Sequence, residues 1–409
     1  MVRRLLAVSL VAAGVLAPAA PAPALTTGIA DQQARTFAHP TFRGLGVRHV
    51  RVAVPWDVAT TNHPSSVAWL DAARASGAIP LVALDHSRGS ACPGSPCPAP
   101  SPDEVEDAVR ALRQRWPNVR EITPWNEPNH RSQPTWKSPE LAAAYYGAVR
   151  RACPTCTVVA GDFLDDAALT SWLRDYRDAL PEEPAVWGLH NYFDATYFSS
   201  TGVDAVLREV SGEVWMTETG GIVRHSPRSG PGLPHDERRA ADAIRWLYTM
   251  SLGRPRIGRM YLYQWQSSPG AHFDAGLLDL DGRERPGLAV VRTALTRGPG
   301  AVRASLVRVT GRGLQLQRSR SRLLVRLACL SSTTTCRGRV SVVLSLSSRR
   351  PRIAGAFRVR PGATATVPLP LSRRALAALA RRTRVQVRLA AAGAPPERVR
   401  VRVLRSPTR

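Results

Sequence analysis

Eight short apolar, β-branched runs recur along the first part of the chain, with amphipathic stretches between them. They are TTGIA (26–30), HVRVAV (49–54), IPLVALDH (79–86), VREITPW (119–125), CTVVAGDF (156–163), VWGLHNY (186–192), EVWMTET (213–219) and RMYLYQW (259–265). Runs this apolar suit strands buried on both faces of a parallel sheet, and parallel neighbours need a crossover, usually helical, between them. The intervening stretches carry helix-start signals. SPDEVEDAVRALRQRW offers Ser101 as cap, Pro102 in the first turn and Glu104 to complete a capping box. SPELAAAYYGAVRRA repeats the device with Ser138 and Pro139, and HDERRAADAIRWLYTMSLG opens on acids and closes on Gly253. Eight such alternations over about 270 residues predict an α/β fold of the (β/α)8 TIM-barrel type, which typically takes about 250. A doubly wound open sheet is the competitor, and it lacks support because no glycine-rich phosphate fingerprint follows the first run.

What precedes the first run reads as an export signal. MVRR is a positive start, LLAVSLVAAGVL a short apolar core, and Ala22-Pro23-Ala24 an A-x-A cleavage site. That core is shorter than the ~20 residues a membrane span requires. A signal peptide over 1–24 and a secreted, extracellular chain are therefore expected. The cysteines agree. Cys92 with Cys97, Cys153 with Cys156, and Cys329 with Cys336 form three close pairs, which in an exported chain suggest three small disulfide loops. Cys153-Pro-Thr-Cys156 also has the form of a redox or zinc site, but the second C-x-x-C of a four-thiolate site is missing. No metal and no cofactor are expected.

The net charge of +25 is unevenly placed. Residues 301–409 hold 25 arginines against one acid, Glu397, whereas the preceding 300 residues hold 31 basic and 30 acidic residues. A boundary near Gly298-Pro299-Gly300 follows, with a catalytic domain over 25–298 and an accessory domain over 301–409. The second part alternates apolar and polar positions at period two in LVRV, RLLVRLAC, RVSVVLSLS, AFRVRPG, TATVPLPLS, RVQVRLAA and RVRVRVL, with one helical insertion, SRRALAALARR. Such a count of short strands suggests a small Arg-rich β-sandwich. Its basic face suits an anionic cell-wall or polysaccharide surface. A merely solvated face is the alternative. No interleaved aromatic motif points to nucleic acid, and a monomer is expected.

In a barrel of this kind, reactive residues gather at the carboxyl ends of the strands. Read in order, those ends bear Arg51, His86, Asn126-Glu127 before Pro128, His190 with Tyr192, Glu218 and Trp265. Two carboxylates on different strands of one rim are what glycoside hydrolysis requires, one protonated to assist the leaving oxygen and one ionised. Each residue also has a plainer reading. Arg51 can be a structural ion-pair partner, His86 and His190 core histidines, and Trp265 barrel filling. Trp56, Trp125 and Trp136 can stack on sugars or simply pack.

VRVAVPW around Arg51, LDH at His86, WNEPN at 125–129, HNY at 190–192, TETG at 217–220, the Trp265 strand and FDAGLLDLDGRERPGLAVVRTAL at 273–295 together resemble glycoside hydrolase clan A. The likeness is greatest to family 5, with family 39-like features, and covers roughly residues 25–298. It implies a retaining double displacement on a poly- or oligosaccharide. Glu127 would be acid/base and Glu218 nucleophile, their carboxyls about 5–5.5 Å apart. Asn126 would hold the sugar 2-hydroxyl, and Arg51 and Tyr192 would hydrogen-bond the nucleophile. Trp265 would floor the subsite, and His86 and His190 would orient the sugar and the acid. The segment LDHSRGSACPGSPC after His86 departs from the family 5 pattern. The expected activity is endo-acting cleavage of a β-linked glycan, as in cellulases, β-glucanases and mannanases. Exo action of the β-xylosidase type remains open, as does an inactive glycan-binding or surface-adhesion role.

Overall fold

A computed structural model describes residues 25–88, 98–227, 232–302, 304, 306–310, 314–317, 319–331, 335–343, 352–382, 384–391 and 397–405. The expected signal peptide lies outside the described residues. Eight parallel strands close into a barrel: β1 (Thr26–Ala30), β2 (His49–Pro55), β3 (Ile79–Asp85), β4 (Glu121–Thr123), β5 (Thr157–Leu164), β6 (Val186–His190), β7 (Glu213–Thr219) and β8 (Ile257–Tyr263). Each pairs with its neighbour in sequence, and β8 returns to β1 through the register Thr26↔Arg259 to Ala30↔Tyr263. Every predicted run thus overlaps a barrel strand. β4 is the shortest, because Pro124 has no N–H with which to extend the ladder.

The crossover helices start where the capping chemistry says. Ser101 and Glu104 form a reciprocal capping box at the head of Pro102–Arg115, whose buried face is Val105, Ala108, Val109 and Leu112. Asp236 caps Glu237–Leu252 by accepting from the Arg239 amide. Ser138 precedes Pro139–Ala152 without a capping bond from its side chain. No helix among the described residues is long and apolar enough to cross a membrane.

Of the three predicted disulfides, two are formed, Cys153–Cys156 and Cys329–Cys336. The third predicted pair is not among them: Cys92 and Cys97 both lie outside the described residues. The bond expected between Cys92 and Cys97 is therefore left as a sequence expectation, unlike the other two.

Beyond the barrel, eight strands among the described residues form a mixed sheet around a second core that includes Leu314, Leu323, Val325, Val340, Phe357, Leu369, Val387 and Leu389. Seven runs were expected; Leu314–Gln317, with alternating burial, is an eighth that the sequence reading did not mark. It pairs in parallel with Glu397–Arg405, joining the two halves of the sheet. The helix Arg373–Ala380 is capped by Ser372. Between the barrel and this sheet, Val302 and Ala304 are buried in the barrel core, the Ala304 amide donates to Thr249 Oγ1 at 2.6 Å, and Arg308 pairs with Asp242.

Candidate active site

The barrel register delivers Arg51 from β2 to the axis, where its side chain is fully buried. Burying a guanidinium requires paired acceptors. Arg51 donates to Glu218 Oε2 at 2.6 Å, Asp162 Oδ2 at 2.6 Å and Asn126 Oδ1 at 2.7 Å, and its Nη2 lies 3.0 Å from His190 Nε2. One cation therefore ties together strands β5 and β7 and the segment after β4. Burial works against its charge, but Asp162 and Glu218 outweigh that and hold it protonated.

Glu127 follows the short β4, on a loop fixed by the Asn126 amide bonding to Leu84 O at 2.7 Å and the His130 amide bonding to Glu127 O at 2.8 Å. Its φ of 48° lies in the left-handed region, a conformation that non-glycine residues hold only where surrounding structure enforces it. Glu218 sits near the end of β7, where Tyr192 donates to its Oε1 at 3.0 Å. Burial and the nearby Glu218 charge keep the Tyr192 phenol firmly protonated, so it serves as a donor. An oxygen of Glu127, an oxygen of Glu218 and a nitrogen of His190 all lie within 4.8 Å of one another. The trio resembles a metal-ligand set. However, Arg51 already occupies Glu218 and Asp162, and both His190 nitrogens are engaged in the same network, so a cation fits poorly.

His190 bridges the two carboxylate systems. Its Nδ1 meets Glu127 Oε1 at 2.9 Å, and its Nε2 lies 3.5 Å from Asp162 Oδ2. Burial and Arg51 disfavour its charge, yet Glu218, Asp162 and Glu127 prevail and raise its pKa to about 9. Burial likewise pushes Glu127 up, but the His190 hydrogen bond and charge hold it below the ordinary glutamate value. Both directions favour the proton on His190, donated from Nδ1 to the Glu127 carboxylate across the 2.9 Å contact.

Asp162 carries no signal in the sequence reading. It lies within a strand run, where alternation gives it no special status. The register of β5 against β6 shifts between Gly161 and Phe163, and Asp162 adopts a φ of 84°. This bulge re-aims its fully buried carboxylate onto Arg51 and His190. The opposing strand makes room by having no side chain: a Cβ on Gly188 would stand 2.4 Å from Asp162 Oδ1.

The carboxylates open into a cavity of about 530 Å3, lined by residues that include Glu127, His130, Tyr192, Phe193, Tyr197, Glu218, Tyr263 and Phe273. The structure thus brings together Arg51, Asn126, Glu127, His190, Tyr192 and Glu218. The other two predicted substrate-binding residues have different partners. Trp265 is 1% exposed and packs edge-to-face on Phe42 and His39, because β8 ends at Tyr263 and it is Tyr263 that reaches the cavity. His86 stands after β3 with its ring on the Ser87 carbonyl. Trp125 is core, bonded to Gln133 and packed on Tyr145, while Trp136 is 38% exposed.

No protein-family model matches the chain, and no curated protein matches it either. Among solved structures it is similar to a GH5_18 protein from Streptomyces cattleya in complex with GlcNAc, with a TM-score of 0.49, 18% identity, and coverage of 73% of this chain and 86% of that one. It is also similar to a family 39 glycoside hydrolase from the gut symbiont Bacteroides cellulosilyticus WH2, at a TM-score of 0.47 and 14% identity over 86% of this chain and 81% of that one. A third is a Bacteroides uniformis beta-glucuronidase 2, at a TM-score of 0.46 and 12% identity over 94% of this chain and 46% of that one. The chain spans about half the length of the beta-glucuronidases it matches.

Proposed function

We propose that this chain is a secreted retaining glycoside hydrolase, with Glu218 as nucleophile and Glu127 as acid/base. The observation that carries the proposal is the asymmetry of two close carboxylates over one cavity. Glu218 is held by Arg51 and Tyr192, both donors, which orient its oxygens for attack and balance its negative charge. Glu127 faces His190, which can give and take a proton. One oxygen of each carboxylate lies within 4.8 Å of the other, which supports the close spacing of a retaining pair, about 5–5.5 Å, over the roughly 6.5–9.5 Å of an inverting one.

In the first step a Glu218 oxygen bonds to the anomeric carbon as the glycosidic C–O bond breaks, and the leaving oxygen takes the proton from Glu127. In the second, Glu127 removes a proton from water, whose oxygen displaces Glu218 and regenerates the free carboxylate. The resting proton sits on His190, and the charge of Glu218 helps keep it there. As Glu218 attacks, that charge disappears, His190 becomes more acidic, and the proton moves to Glu127 as the leaving group needs it. We assign the substrate to β-linked glycans cleaved internally, of the β-glucan, mannan or xylan type.

The test is turnover of aryl β-glycosides and of those polysaccharides by the purified chain. Glu218→Gln should abolish activity on every substrate. Glu127→Ala should retain the first step on substrates with good leaving groups, and azide should restore its turnover by replacing the base-activated water. Full activity in the Glu218→Gln protein would remove the proposal.

A further inference from the structure

Five large apolar side chains are strongly exposed among the described residues, and two of them, Phe193 at 50% and Tyr197 at 49%, line the same cavity as Glu127 and Glu218. They belong to the short helix Tyr192–Tyr197 that follows β6. Residues four apart share one helix face, and here the two rings meet with centroids 4.7 Å apart. The opposite face is anchored. Asp194 and Ala195 are fully buried, and the Asp194 carboxylate accepts from the Val203 amide at 2.8 Å. The Asp165 carboxylate accepts from the Phe193 amide at 2.9 Å and the Asp194 amide at 2.8 Å. The first residue of the helix, Tyr192, holds Glu218.

Two half-exposed aromatic rings on a pinned helix, tilted 46° to each other, present apolar ring faces held in place before any ligand arrives. Such pre-organisation lowers the conformational cost of binding. The cavity they share with the carboxylates falls within the ~300–1,000 Å3 range of small-ligand clefts. The C–H face of a pyranose matches a flat ring surface, while the sugar's hydroxyl edge stays in water.

Building on the proposed glycosidase reading, we infer that Phe193 and Tyr197 form a stacking subsite for a pyranose of the substrate chain adjacent to the sugar held at Glu127 and Glu218. The subsite recognises a second ring of an oligosaccharide, so it governs preference for chain length and leaves the bond-breaking chemistry to the carboxylates. Cellotetraose, mannotetraose and xylotetraose, with the matching 4-nitrophenyl monoglycosides, are the probes. For the tetraose that the full chain cleaves best, the Phe193→Ala/Tyr197→Ala double variant should lose about tenfold more kcat/KM than it loses on the monoglycoside, the scale of one or two ring contacts. A Phe193→Trp/Tyr197→Trp variant should recover the preference for the longer substrate.

Calorimetric binding of the same tetraoses to the Glu218→Gln protein provides a readout independent of turnover, and the double variant should weaken it by a similar factor. Equal losses on long and short substrates, or unchanged tetraose binding, would overturn the subsite while leaving the glycosidase reading in place. Tetraose binding that depends on the two rings, in a wild-type chain that cleaves none of the probes, would support the subsite and sink the catalytic reading. Absence of binding to all three tetraoses would overturn the inference.

Discussion

Glu127 and His190 face each other at 2.9 Å, and between them they hold the proton on which the first chemical step depends. Because the His190 pKa is raised to about 9, the shared proton persists through neutral pH and is lost only in alkaline solution. The alkaline limb of kcat/KM should therefore fall near pH 9. In His190→Asn the reservoir is gone, so that limb should move to lower pH; an unmoved limb would dissociate His190 from the acid. Stability follows the same sign. A histidine raised above its ordinary 6.5 contributes fully below pH 6.5, and the contribution drains away as pH rises through about 9. Glu127 and Asp162, both depressed, contribute above the ordinary carboxylate range and lose that contribution as pH falls below it. The wild-type Tm should accordingly decline between about pH 6.5 and 9, and the decline should flatten in His190→Asn. Glu127, Asn126 and Glu218 were legible in the sequence because strand ends are marked by composition and by Pro128, and Arg51 because it is a lone charge inside an apolar run. Asp162 was not, since a bulge leaves no signature in an apolar run.

The strands that carry these residues lose regularity at several points, β7 against β8 already between Val214 and Trp215. β5 bulges at Gly161–Asp162, β4 stops at Pro124, and β8 gives out at Tyr263. Strand runs are readable because burial on both faces demands continuous apolar sequence. The irregular last residues are set by neighbours distant in sequence, which explains why Trp265 read as a rim residue and Tyr263 did not. The helix at 192–197 was missed for a related reason: the run VWGLHNY carries β-like residues into the helix's first position. Gly188 offers a test at this level. Adding one methyl group in Gly188→Ala places a carbon 2.4 Å from the Asp162 carboxylate. Either the bulge shifts or Asp162 leaves Arg51. Overpacking of this kind costs about 1–3 kcal/mol, so the denaturation midpoint should drop and kcat should fall with it. An unchanged midpoint and kcat would show that the bulge does not hold the site.

The whole chain combines a nearly neutral barrel with a strongly basic β-domain. In that domain the strands place like charges side by side: Arg384 opposes Arg402, Arg388 opposes Arg398, and Arg337 opposes Arg358, all exposed. Directly opposed like charges destabilise a sheet, and an anionic polymer laid across that face would relieve the repulsion. We propose that the domain is a separable module that adsorbs to anionic surfaces. Val302 and Ala304 fill the barrel core, so the cut belongs after residue 305. The truncated barrel should keep its activity on aryl glycosides, and the full chain's adsorption to an anionic polysaccharide should fall steeply between about 0.05 and 0.5 M salt. An aggregating or inactive barrel, with adsorption indifferent to salt, would show that the second domain completes the fold.

The central claim is that Glu218 becomes covalently attached to the sugar. Peptide mapping by mass spectrometry, after exposure to 2-deoxy-2-fluoro-β-glucosides, -mannosides and -xylosides with activated leaving groups, reads this directly. The account predicts a single adduct from the sugar the protein accepts, located on Glu218 and absent from Glu218→Gln. An adduct on Glu127, or turnover of the parent glycoside with inverted anomeric configuration and no adduct, would contradict it.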